Sequence, residues 1–421
     1  MTPALRVLMI SDVSPLAIAG GGERVLWEQS SRLVKRGHRI RILSRSPGDG
    51  VTYAVEREGV PISHFPVDRR SPLRFCLSSI LQASRSVTRL LAEEGADILH
   101  LYQPFSGFGA LRSHPARDLP CLYTFLSPAP MEYMCRTGMT PYHRSGPIGR
   151  AIQLMLWAIE RACLKRATRI HVLSRFSADQ LWGLYRSIPS DRIIKIAGGV
   201  DPERFQPAGD RHAIRRMLGL PVGSSLLLTV RNLESRMGLD NLLRALDILR
   251  RHVPEFLLLI GGSGSLRNEL ESLSASLDLQ GHVRFLGYVS EAHLPLYCQA
   301  ADVFVLPTRQ LEGFGLITVE ALACGTPILG TPVGATPEIL GPLDPSLLFR
   351  DATAEAMAEG LRHFFESRSP DLAPGLHLRQ ACRLHAETHY TWDMSIDRLE
   401  AVLRDLARVA APLPRAAGLT P

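Results

Sequence analysis

Residues 312–320 read Glu-Gly-Phe-Gly-Leu-Ile-Thr-Val-Glu and set two carboxylates eight positions apart on either side of a glycine-rich turn. Glu312 follows a short apolar run, Val303–Leu306, that is typical of a buried strand, and Glu320 falls among residues with helical spacing. The glycines between them would expose backbone N–H groups where that helix begins, and the helix dipole favours an anion there. A carboxylate accepts hydrogen bonds from sugar hydroxyls. The segment predicts a site for a sugar or ribose linked to phosphate; a capped helix without a ligand is the alternative.

Short apolar runs alternate with helical segments on both sides of this stretch. The alternation predicts parallel βαβ units, and it restarts after a Pro-, Gly- and charge-rich segment at Asp201–Asp210. The predicted strands are Arg6–Ile10, Arg39–Ser44, Ile98–Tyr102, Cys121–Phe125, Ile170–Leu173, Leu226–Val230, Phe256–Ile260, Val283–Leu286 and Val303–Leu306. The predicted helices are Arg24–Arg36, Leu239–Arg251, Leu266–Leu277 and Ile317–Ala323.

This pattern predicts an α/β protein with two doubly wound, Rossmann-like domains. We place the first domain at residues 1–197 and the second at 198–385, followed by a helical segment at 386–409 that packs back on the first domain. Residues 410–421 are rich in Ala, Pro and Gly and are expected to be disordered. Ligands of open parallel sheets bind beyond the carboxyl ends of the strands, so two such domains with facing carboxyl ends would enclose a cleft.

The composition excludes several classes of protein. With 421 residues, 45% of them apolar and 21% charged, the chain is neither wholly disordered nor a disulfide mini-scaffold. No apolar run approaches the roughly 18–20 residues that a membrane span needs. The N-terminus lacks the length and cleavage site of a signal peptide. The seven cysteines contain no C-x-x-C pair, which favours reduced thiols, so we expect a cytoplasmic protein.

The charge balance leaves the partner open. Lys and Arg outnumber Asp and Glu by 48 to 41, a net charge of +7, which suits an anionic ligand or membrane surface but also an ordinary basic protein. The basic amphipathic segments Leu73–Leu91 and Arg150–Arg166 would suit a peripheral contact with the inner face of a membrane; ordinary domain helices are the alternative. Aromatic residues make up only 6%, and no nucleic-acid-binding signature occurs, so nucleic acid is not an expected partner. The oligomeric state stays open.

Three further motifs follow predicted strands. Gly20–Gly22 opens a helix, but it is not the dinucleotide motif G-x-G-x-x-G. Arg231 and Arg236 follow the strand Leu226–Val230, where guanidinium groups suit the oxygens of a diphosphate. Gly261–Gly264 forms another turn before a helix. Ordinary turns or solvated arginines are the alternatives in each case, and the sequence has no D-x-D, H-E-x-x-H, P-loop or G-x-S-x-G motif.

Four segments carry a resemblance to a known family. In chain order they are GGGERVLWEQSSRLVKRGHRI from Gly20, GGVDPERFQP from Gly198, RNLESRMGLDNLLRAL from Arg231 and EGFGLITVEALACGTPILGTPVGATPEIL from Glu312. Together they resemble a retaining, nucleotide-sugar-dependent glycosyltransferase of the GT-B fold, family 4 (glycosyl transferases group 1). The resemblance runs from Arg6 to about Leu403. It implies two domains facing each other across a cleft, with the acceptor in the first and the nucleotide sugar in the second.

The resemblance also implies roles for individual residues. Arg231 and Arg236 would bind the donor diphosphate; many members carry a lysine where this chain has Met237. Glu312 would contact the hydroxyls of the donor sugar, and with the two arginines it forms the predicted catalytic set. Glu320 would bind the ribose hydroxyls. The other predicted donor-binding residues supply backbone N–H groups or close approach: Gly21, Gly22, Gly262, Gly313, Phe314, Gly315 and Leu316.

Acceptor contacts are expected from the first domain, with the candidates His100, Tyr102, Gln103, Leu126, Glu132 and Arg136. Leu126 departs from the family, which commonly has a histidine after the T-F pair, near the C6 hydroxyl of the donor sugar. A leucine side chain neither donates nor accepts a hydrogen bond. Two hypotheses follow: the donor is a 6-deoxy sugar or a pentose, or the activity is impaired.

The resemblance implies an enzyme of carbohydrate biosynthesis. It would move a hexosyl or deoxyhexosyl group from a nucleoside-diphosphate sugar to a hydroxyl of a sugar, lipid-linked or small-molecule acceptor. Retention of the anomeric configuration is expected, without a metal or other cofactor. Two alternatives stay open: a GT-B sugar-nucleotide epimerase or phosphorylase, and a non-catalytic pseudo-transferase that binds a nucleotide sugar, for which Leu126 is the support.

Overall fold

The computed structural model describes residues 3–18, 20–48, 52–136, 146–367 and 374–410. The expected disordered tail, apart from residue 410, lies outside these ranges. Thirteen strands in the described part form two sheets. They are β1 Arg6–Ser11, β2 Arg39–Arg45, β3 Tyr53–Arg57, β4 Val60–Phe65, β5 Ile98–Leu101, β6 Cys121–Phe125, β7 Arg169–Val172, β8 Ile193–Lys195, β9 Ser225–Val230, β10 Phe256–Gly261, β11 Val283–Gly287, β12 Val303–Leu306 and β13 Ile328–Gly330.

Several helices begin at a polar residue whose side chain accepts a hydrogen bond from the N–H three positions later. This holds for Ser71, Ser174, Asp210 and Thr353, and such caps satisfy backbone donors that the helix leaves open. Within the described ranges, no helix is both long enough and apolar enough to cross a membrane. The helices are α1 Gly21–Lys35, α2 Pro72–Glu93, α3 Pro104–Leu111, α4 Ala129–Arg136, α5 Pro147–Arg166, α6 Arg175–Leu184, α7 Arg211–Met217, α8 Leu239–Leu249, α9 Arg267–Ser276, α10 Leu294–Ala300, α11 Leu316–Ala323, α12 Thr336–Leu340, α13 Ala354–Glu366, α14 Pro374–His389 and α15 Trp392–Ala410.

The first sheet has the order β3-β4-β2-β1-β5-β6-β7-β8, and its pairs are parallel except for β3 with β4. The strand order reverses beside β1, where Met9 lies opposite both Ile42 on β2 and His100 on β5. The crevice at such a reversal is where doubly wound sheets bind ligands. The loop after β1 leads to Gly20 at this crevice.

The second sheet has the order β11-β10-β9-β12-β13 and is wholly parallel. Here the order reverses beside β9, where Leu227 lies opposite Leu258 on β10 and Val303 on β12. The loops that follow β9 and β12 therefore start at the same crevice. These two loops carry Arg231 and Glu312.

The chain passes between the two halves twice, and the two passages lie side by side. Val200 donates its N–H to the Tyr390 carbonyl oxygen (2.7 Å) and accepts from the Trp392 N–H (3.1 Å). A Cβ at Gly199 would lie 2.5 Å from the Trp392 nitrogen, so this close approach requires glycine. After the second passage, α15 contacts α1 of the first half, and Asp397 forms an ion pair with Arg36 at 2.6 Å.

Most predicted strands occur with ends shifted by one residue. The strands β3, β4, β8 and β13 were not predicted: β3 is a half-exposed edge strand, β4 contains a proline, and β8 and β13 have only three residues each. The first helix starts earlier than predicted, because Gly21 and Gly22 belong to its first turn rather than to a loop. Gly20 caps this helix through its backbone, in an extended conformation.

Candidate functional site

A buried ion pair lies at the crevice of the second sheet. Arg231 follows β9, Glu312 precedes α11, and an Nη2 donor of Arg231 contacts Glu312 Oε2. The side chains are 5% and 10% exposed, and Thr308 Oγ1 donates to the same carboxylate oxygen at 3.1 Å. Burial alone would raise the pKa of Glu312, but the charges of Arg231 and Arg236 and the bonds from Arg231 and Thr308 outweigh it, so the pKa is lowered. Glu312 is therefore a carboxylate acceptor.

One hydrogen-bond donor of Arg231 is unused among the described residues. Its Nη1 is buried and has no hydrogen-bond partner within the described part of the chain. An unpaired buried donor costs free energy, and an anionic oxygen would satisfy it. The site is therefore suited to a phosphate oxygen next to the Arg231–Glu312 pair.

Two glycines allow close backbone packing around the loop that carries Arg231 and Arg236. Gly262 has φ +126°, and a Cβ there would lie 1.8 Å from the Arg231 carbonyl oxygen. Gly238 has φ +69°, and a Cβ there would lie 1.9 Å from the Pro307 carbonyl oxygen. Both positions therefore require glycine. The half-buried Arg236 lies within this loop and donates from Nη1 to the Leu311 carbonyl oxygen at 3.0 Å.

The start of α11 offers backbone donors to the cleft. Gly315 caps the helix in the left-handed region, with φ +83°. The N–H groups of residues 313–316 donate no hydrogen bond to any part of the chain that the structure describes. Phe314 is buried, with its ring 5.9 Å from that of Tyr390 in an edge-on arrangement, and this packing fixes the turn. Free N–H groups at a helix N-terminus form an anion-binding arrangement.

Glu320 lies one turn further along α11, and burial raises the pKa of its carboxyl. The residue is only 5% exposed. Its carboxylate accepts no hydrogen bond among the described residues, and its one ion pair is with Arg24 of the first half, from Nε to Oε1 at 3.9 Å. A buried carboxylate without hydrogen bonds leaves its oxygens available to hydroxyl groups.

The predicted glycines of the first half face this site. A Cβ at Gly22 would lie 3.2 Å from Leu126 Cδ1, and a Cβ at Gly21 would lie 4.0 Å from Leu316 Cδ1. The start of α1 therefore lies between Leu126 of the first half and Leu316 of the second half. The structure thus brings the predicted donor-binding residues of both halves together around one cleft.

Two acceptor candidates lie elsewhere. His100 and Tyr102 are 0% and 2% exposed and belong to a chain of buried hydrogen bonds: Tyr102 to Gln29 (2.5 Å), His100 to Thr124 (2.7 Å), and Thr124 to His171 (3.0 Å). Burial lowers the pKa of His171 to about 4 and that of His100 as well. The structure places both candidates in the core, because β5 is a central strand covered on both faces. A direct acceptor contact by either residue stays a prediction.

Of the other acceptor candidates, Leu126 and Gln103 lie closer to the cleft. Leu126 is half-buried, and its carbonyl oxygen would be 2.8 Å from a Cβ at Gly313. Gln103 Oε1 accepts from Ser11 Oγ and from the Asp12 N–H, each at 2.8 Å. Glu132 is half-buried on α4. The side chain of Arg136 falls outside the described part of the structure.

The sequence prediction missed two serines that connect the halves. Ser174 Oγ donates to the Gly313 carbonyl oxygen at 2.6 Å, and Ser177 Oγ donates to the same oxygen at 3.2 Å. In the other direction, Glu338 accepts the N–H groups of Arg175 and Phe176 at 2.9 and 2.8 Å. Ser174 directly follows a predicted strand, and that position at the carboxyl end of a strand was the available signal.

The described residues contain no group of three or more His, Cys, Asp or Glu side chains arranged to hold a metal ion.

Two family models match this chain. Residues 19–204 match the family model "Glycosyltransferase Family 4", and residues 210–388 match "Glycosyl transferases group 1". A D-inositol 3-phosphate glycosyltransferase 1 of Catenulispora acidiphila is 30% identical over 411 residues, which cover 93% of each chain. A GDP-mannose-dependent monoacylated alpha-(1-6)-phosphatidylinositol monomannoside mannosyltransferase of Corynebacterium glutamicum is 28% identical over 263 residues, covering 60% of this chain and 67% of that protein.

Solved structures share the fold. The sucrose-phosphate synthase of Thermosynechococcus elongatus superposes with a TM-score of 0.78 at 22% identity, covering 96% of this chain and all of that one. HepE of Anabaena, solved with UDP, gives 0.73 at 15% identity, covering 95% and 100%. These likenesses confirm the predicted GT-B fold. The relatives named above are transferases, which does not favour the epimerase, phosphorylase or pseudo-transferase alternatives. The chain belongs to glycosyltransferase family 4, the glycosyl transferases group 1, and is a glycosyltransferase of the GT-B fold.

Proposed function

We propose that this enzyme transfers a sugar from a nucleoside-diphosphate sugar to an acceptor hydroxyl, with retention at the anomeric carbon and without a metal ion. The observation that carries the proposal is the cation at the crevice: Arg231 holds Glu312 and keeps a buried Nη1 donor without a partner. Beside it, the N–H groups at the start of α11 are open. Together these groups suit a diphosphate joined to a sugar.

The donor would lie along the crevice of the second half. Arg231, Arg236 and the N–H groups of residues 313–316 would bind the diphosphate, Glu312 the sugar hydroxyls and Glu320 the ribose hydroxyls. Two proteins of the same fold support a nucleotide ligand: HepE of Anabaena was solved with UDP-glucose, and starch synthase IV of Arabidopsis thaliana with ADP.

The chemistry requires stabilisation of the leaving diphosphate and of an oxocarbenium-like sugar. Fixed cations and helix-end N–H groups lower the barrier because they are already oriented towards the charge that develops. The leaving phosphate would take the acceptor proton on the same face of the sugar. We assign no protein nucleophile, because Glu312 is committed to Arg231 and Thr308.

The acceptor would enter from the first half, where Leu126 and Gln103 lie near the cleft. The relatives are named for an inositol 3-phosphate and a phosphatidylinositol mannoside, which supports an acceptor that is a sugar derivative, free or lipid-linked. A cytoplasmic enzyme with a lipid-linked acceptor would work at a membrane surface.

A peripheral membrane contact has support on α2. Leu73, Leu77 and Leu81 follow one another at helical spacing and are 65%, 52% and 55% exposed. The arginines Arg70 and Arg74 lie next to them, with side chains 76% and 58% exposed, and share one carboxylate, that of Asp68, at 2.6 and 3.8 Å. An exposed apolar stripe beside cations suits an anionic bilayer surface.

A donor screen tests the proposed function. UDP, GDP and ADP, and their sugar conjugates, would be added to the enzyme while its melting temperature is followed, because a ligand that binds the folded state stabilises it. We expect one of the three nucleoside diphosphates to raise the melting temperature most. The enzyme should turn over the sugar conjugate of that nucleotide even when EDTA removes free metal ions. NMR of the product should show a retained anomeric configuration. An inverted product or strict dependence on added metal would contradict the proposal.

A further inference from the structure

One face of α1 carries charges at every fourth position: Arg24, Glu28, Arg32 and Arg36. Residues with this spacing share a helix face. Arg32 pairs with Asp201 and with Asp393, each at 3.0 Å, so the face meets both chain passages between the halves. At the other end of the face, Arg24 reaches the second half.

Arg24 is the buried member of this face. Its side chain is 8% exposed, its Nη2 is bonded to Glu291 Oε1, and its Nε lies 3.9 Å from Glu320 Oε1. Glu291 is fixed in turn by Arg204, whose Nη2 donates to the Glu291 carboxylate at 2.7 Å and to its carbonyl oxygen at 2.6 Å. The Nη2 end of Arg24 is thus held by Glu291. The guanidinium charge of Arg24 lies beside Glu320, but the two side chains form no hydrogen bond.

We infer that Arg24 is a positioning residue of the donor site: from the first half, it holds Glu320 ionised and oriented for the ribose hydroxyls. The inference rests on the proposed function, in which Glu320 binds the ribose. The ribose end of the site is then complete only when the two halves are closed on each other.

The physical argument concerns the state of a buried carboxylate. Burial favours the neutral form of Glu320 and raises its pKa, the Arg24 charge opposes that effect, and the nearby Glu291 carboxylate adds to it. An ionised carboxylate offers two oxygens that only accept, which suits a pair of vicinal hydroxyls, whereas a protonated carboxyl gives up part of that capacity. Because Arg24 stands at 3.9 Å, it supplies charge without occupying those acceptor sites.

The experiment compares two ligands on matched variants. The dissociation constants of UDP, GDP or ADP, whichever the wild-type enzyme binds most tightly, and of its 2′,3′-dideoxy counterpart are measured by calorimetry. We expect Arg24→Gln to weaken the ribonucleotide about tenfold and the dideoxynucleotide less than about twofold, because the second ligand lacks the hydroxyls that Glu320 would bind. Arg24→Lys, which keeps the charge, should recover most of the loss.

Two further variants serve as controls. Arg32→Gln removes ion pairs from the same face of α1 but not from Glu320, and should leave the ratio of the two affinities unchanged. Arg24→Gln/Glu291→Gln is measured as well, since it also removes the carboxylate that Arg24 pairs with, and it should still show a selective loss of the ribonucleotide. Equal weakening of both ligands in Arg24→Gln, or no weakening, would overturn the inference while the proposed function stands. If the wild-type enzyme bound none of the three nucleotides, the proposed function would fall with it.

Discussion

The Arg231 guanidinium is bonded to the Glu312 carboxylate across the two loops that follow β9 and β12, and both side chains are almost fully buried. Buried ion pairs add little net stability, because desolvation of the charges offsets their attraction. This pair is also incomplete, since Arg231 Nη1 has no partner among the described residues. Its arrangement is better explained by ligand binding than by stability.

Replacing Glu312 by Gln tests this explanation. The amide keeps the shape and one acceptor oxygen but removes the charge, so we expect kcat/KM to fall about 100-fold while the fold is kept. Initial rates with the donor found by the melting screen provide the measurement. The melting temperature of the variant serves as the control for folding. A rate within about twofold of the wild type would show that Glu312 does not act on the donor.

Removing Arg231 instead should cost stability. Arg231→Ala leaves a buried carboxylate without its cation, and such a loss costs about 3–5 kcal/mol of unfolding free energy. Adding Glu312→Gln should restore part of that loss, because the stranded charge is gone. Urea unfolding followed by circular dichroism measures both variants. The prediction fails if the double variant has a lower free energy of unfolding than Arg231→Ala. Arg236→Ala changes a half-buried arginine of the same loop and should lose less stability, so it serves as the comparison.

Much of the fold was predictable because its signals are local. Buried strands such as Val303–Leu306 are continuous apolar runs, and the following Gly313 and Gly315 mark the turn into a helix. Since parallel strands end at one edge of a sheet, strand position was enough to place the loops of Arg231 and Glu312 at the same edge, but the bond between the two side chains was not predicted. The strands β3 and β13 lack such runs, which is why the prediction omitted them.

The contacts between the halves were not predictable in this way. Arg24 and Glu320 are 320 − 24 = 296 positions apart, and no periodicity connects residues at that distance. The same holds for Ser174 and its bond to Gly313. The burial of His100 was missed for another reason: a strand covered on both faces has no alternation to show which side chains reach the cleft.

A pH dependence of stability is expected from Glu160. Its fully buried carboxyl accepts hydrogen bonds from Tyr185 Oη (2.5 Å), Tyr123 Oη (3.2 Å) and the Ala129 N–H (3.0 Å), and burial raises its pKa from 4.5 to about 7. Such an acid binds more protons folded than unfolded between these two values. Its contribution to stability is therefore complete below about pH 4.5 and is lost as the pH rises through 7, a change of about 3 kcal/mol.

The measurement is the unfolding free energy of the wild type minus that of Glu160→Gln, followed from pH 4.5 to 8. We expect this difference to decrease as the pH rises. The buried histidines with lowered pKa, His100 and His171, act in the opposite direction but are present in both proteins and cancel. Glu93→Gln, at an exposed carboxylate on α2, should show no such trend. A difference that stays constant over the range would refute the assignment.

Leu126 should influence the choice of donor sugar. Its side chain lies against Gly22 and its carbonyl oxygen against Gly313, and an apolar group at this place suits a sugar without a hydroxyl at C6. We expect kcat/KM to be about tenfold higher for 6-deoxyhexose or pentose donors than for hexose donors, and Leu126→His to shift the preference towards hexoses. Leu126→Met should keep the wild-type preference. Equal wild-type rates with both donor types would rule out this role, and a histidine variant with unchanged turnover would also count against impaired activity.

The exposed stripe on α2 should bind anionic membranes. Burying part of three leucine side chains in the lipid interface adds to the attraction of the neighbouring arginines, so Leu73→Ser/Leu77→Ser/Leu81→Ser should reduce the vesicle-bound fraction about tenfold or more. Sedimentation with vesicles of phosphatidylglycerol and phosphatidylcholine measures that fraction, and raising the salt should release the wild type as well. Leu384→Ser, an equally exposed leucine on α14, is the matched control. Because α2 lies outside the donor crevice, the nucleotide affinity of the triple variant should equal that of the wild type. Equal vesicle binding by the triple variant and the wild type would exclude this face of α2 as the membrane contact.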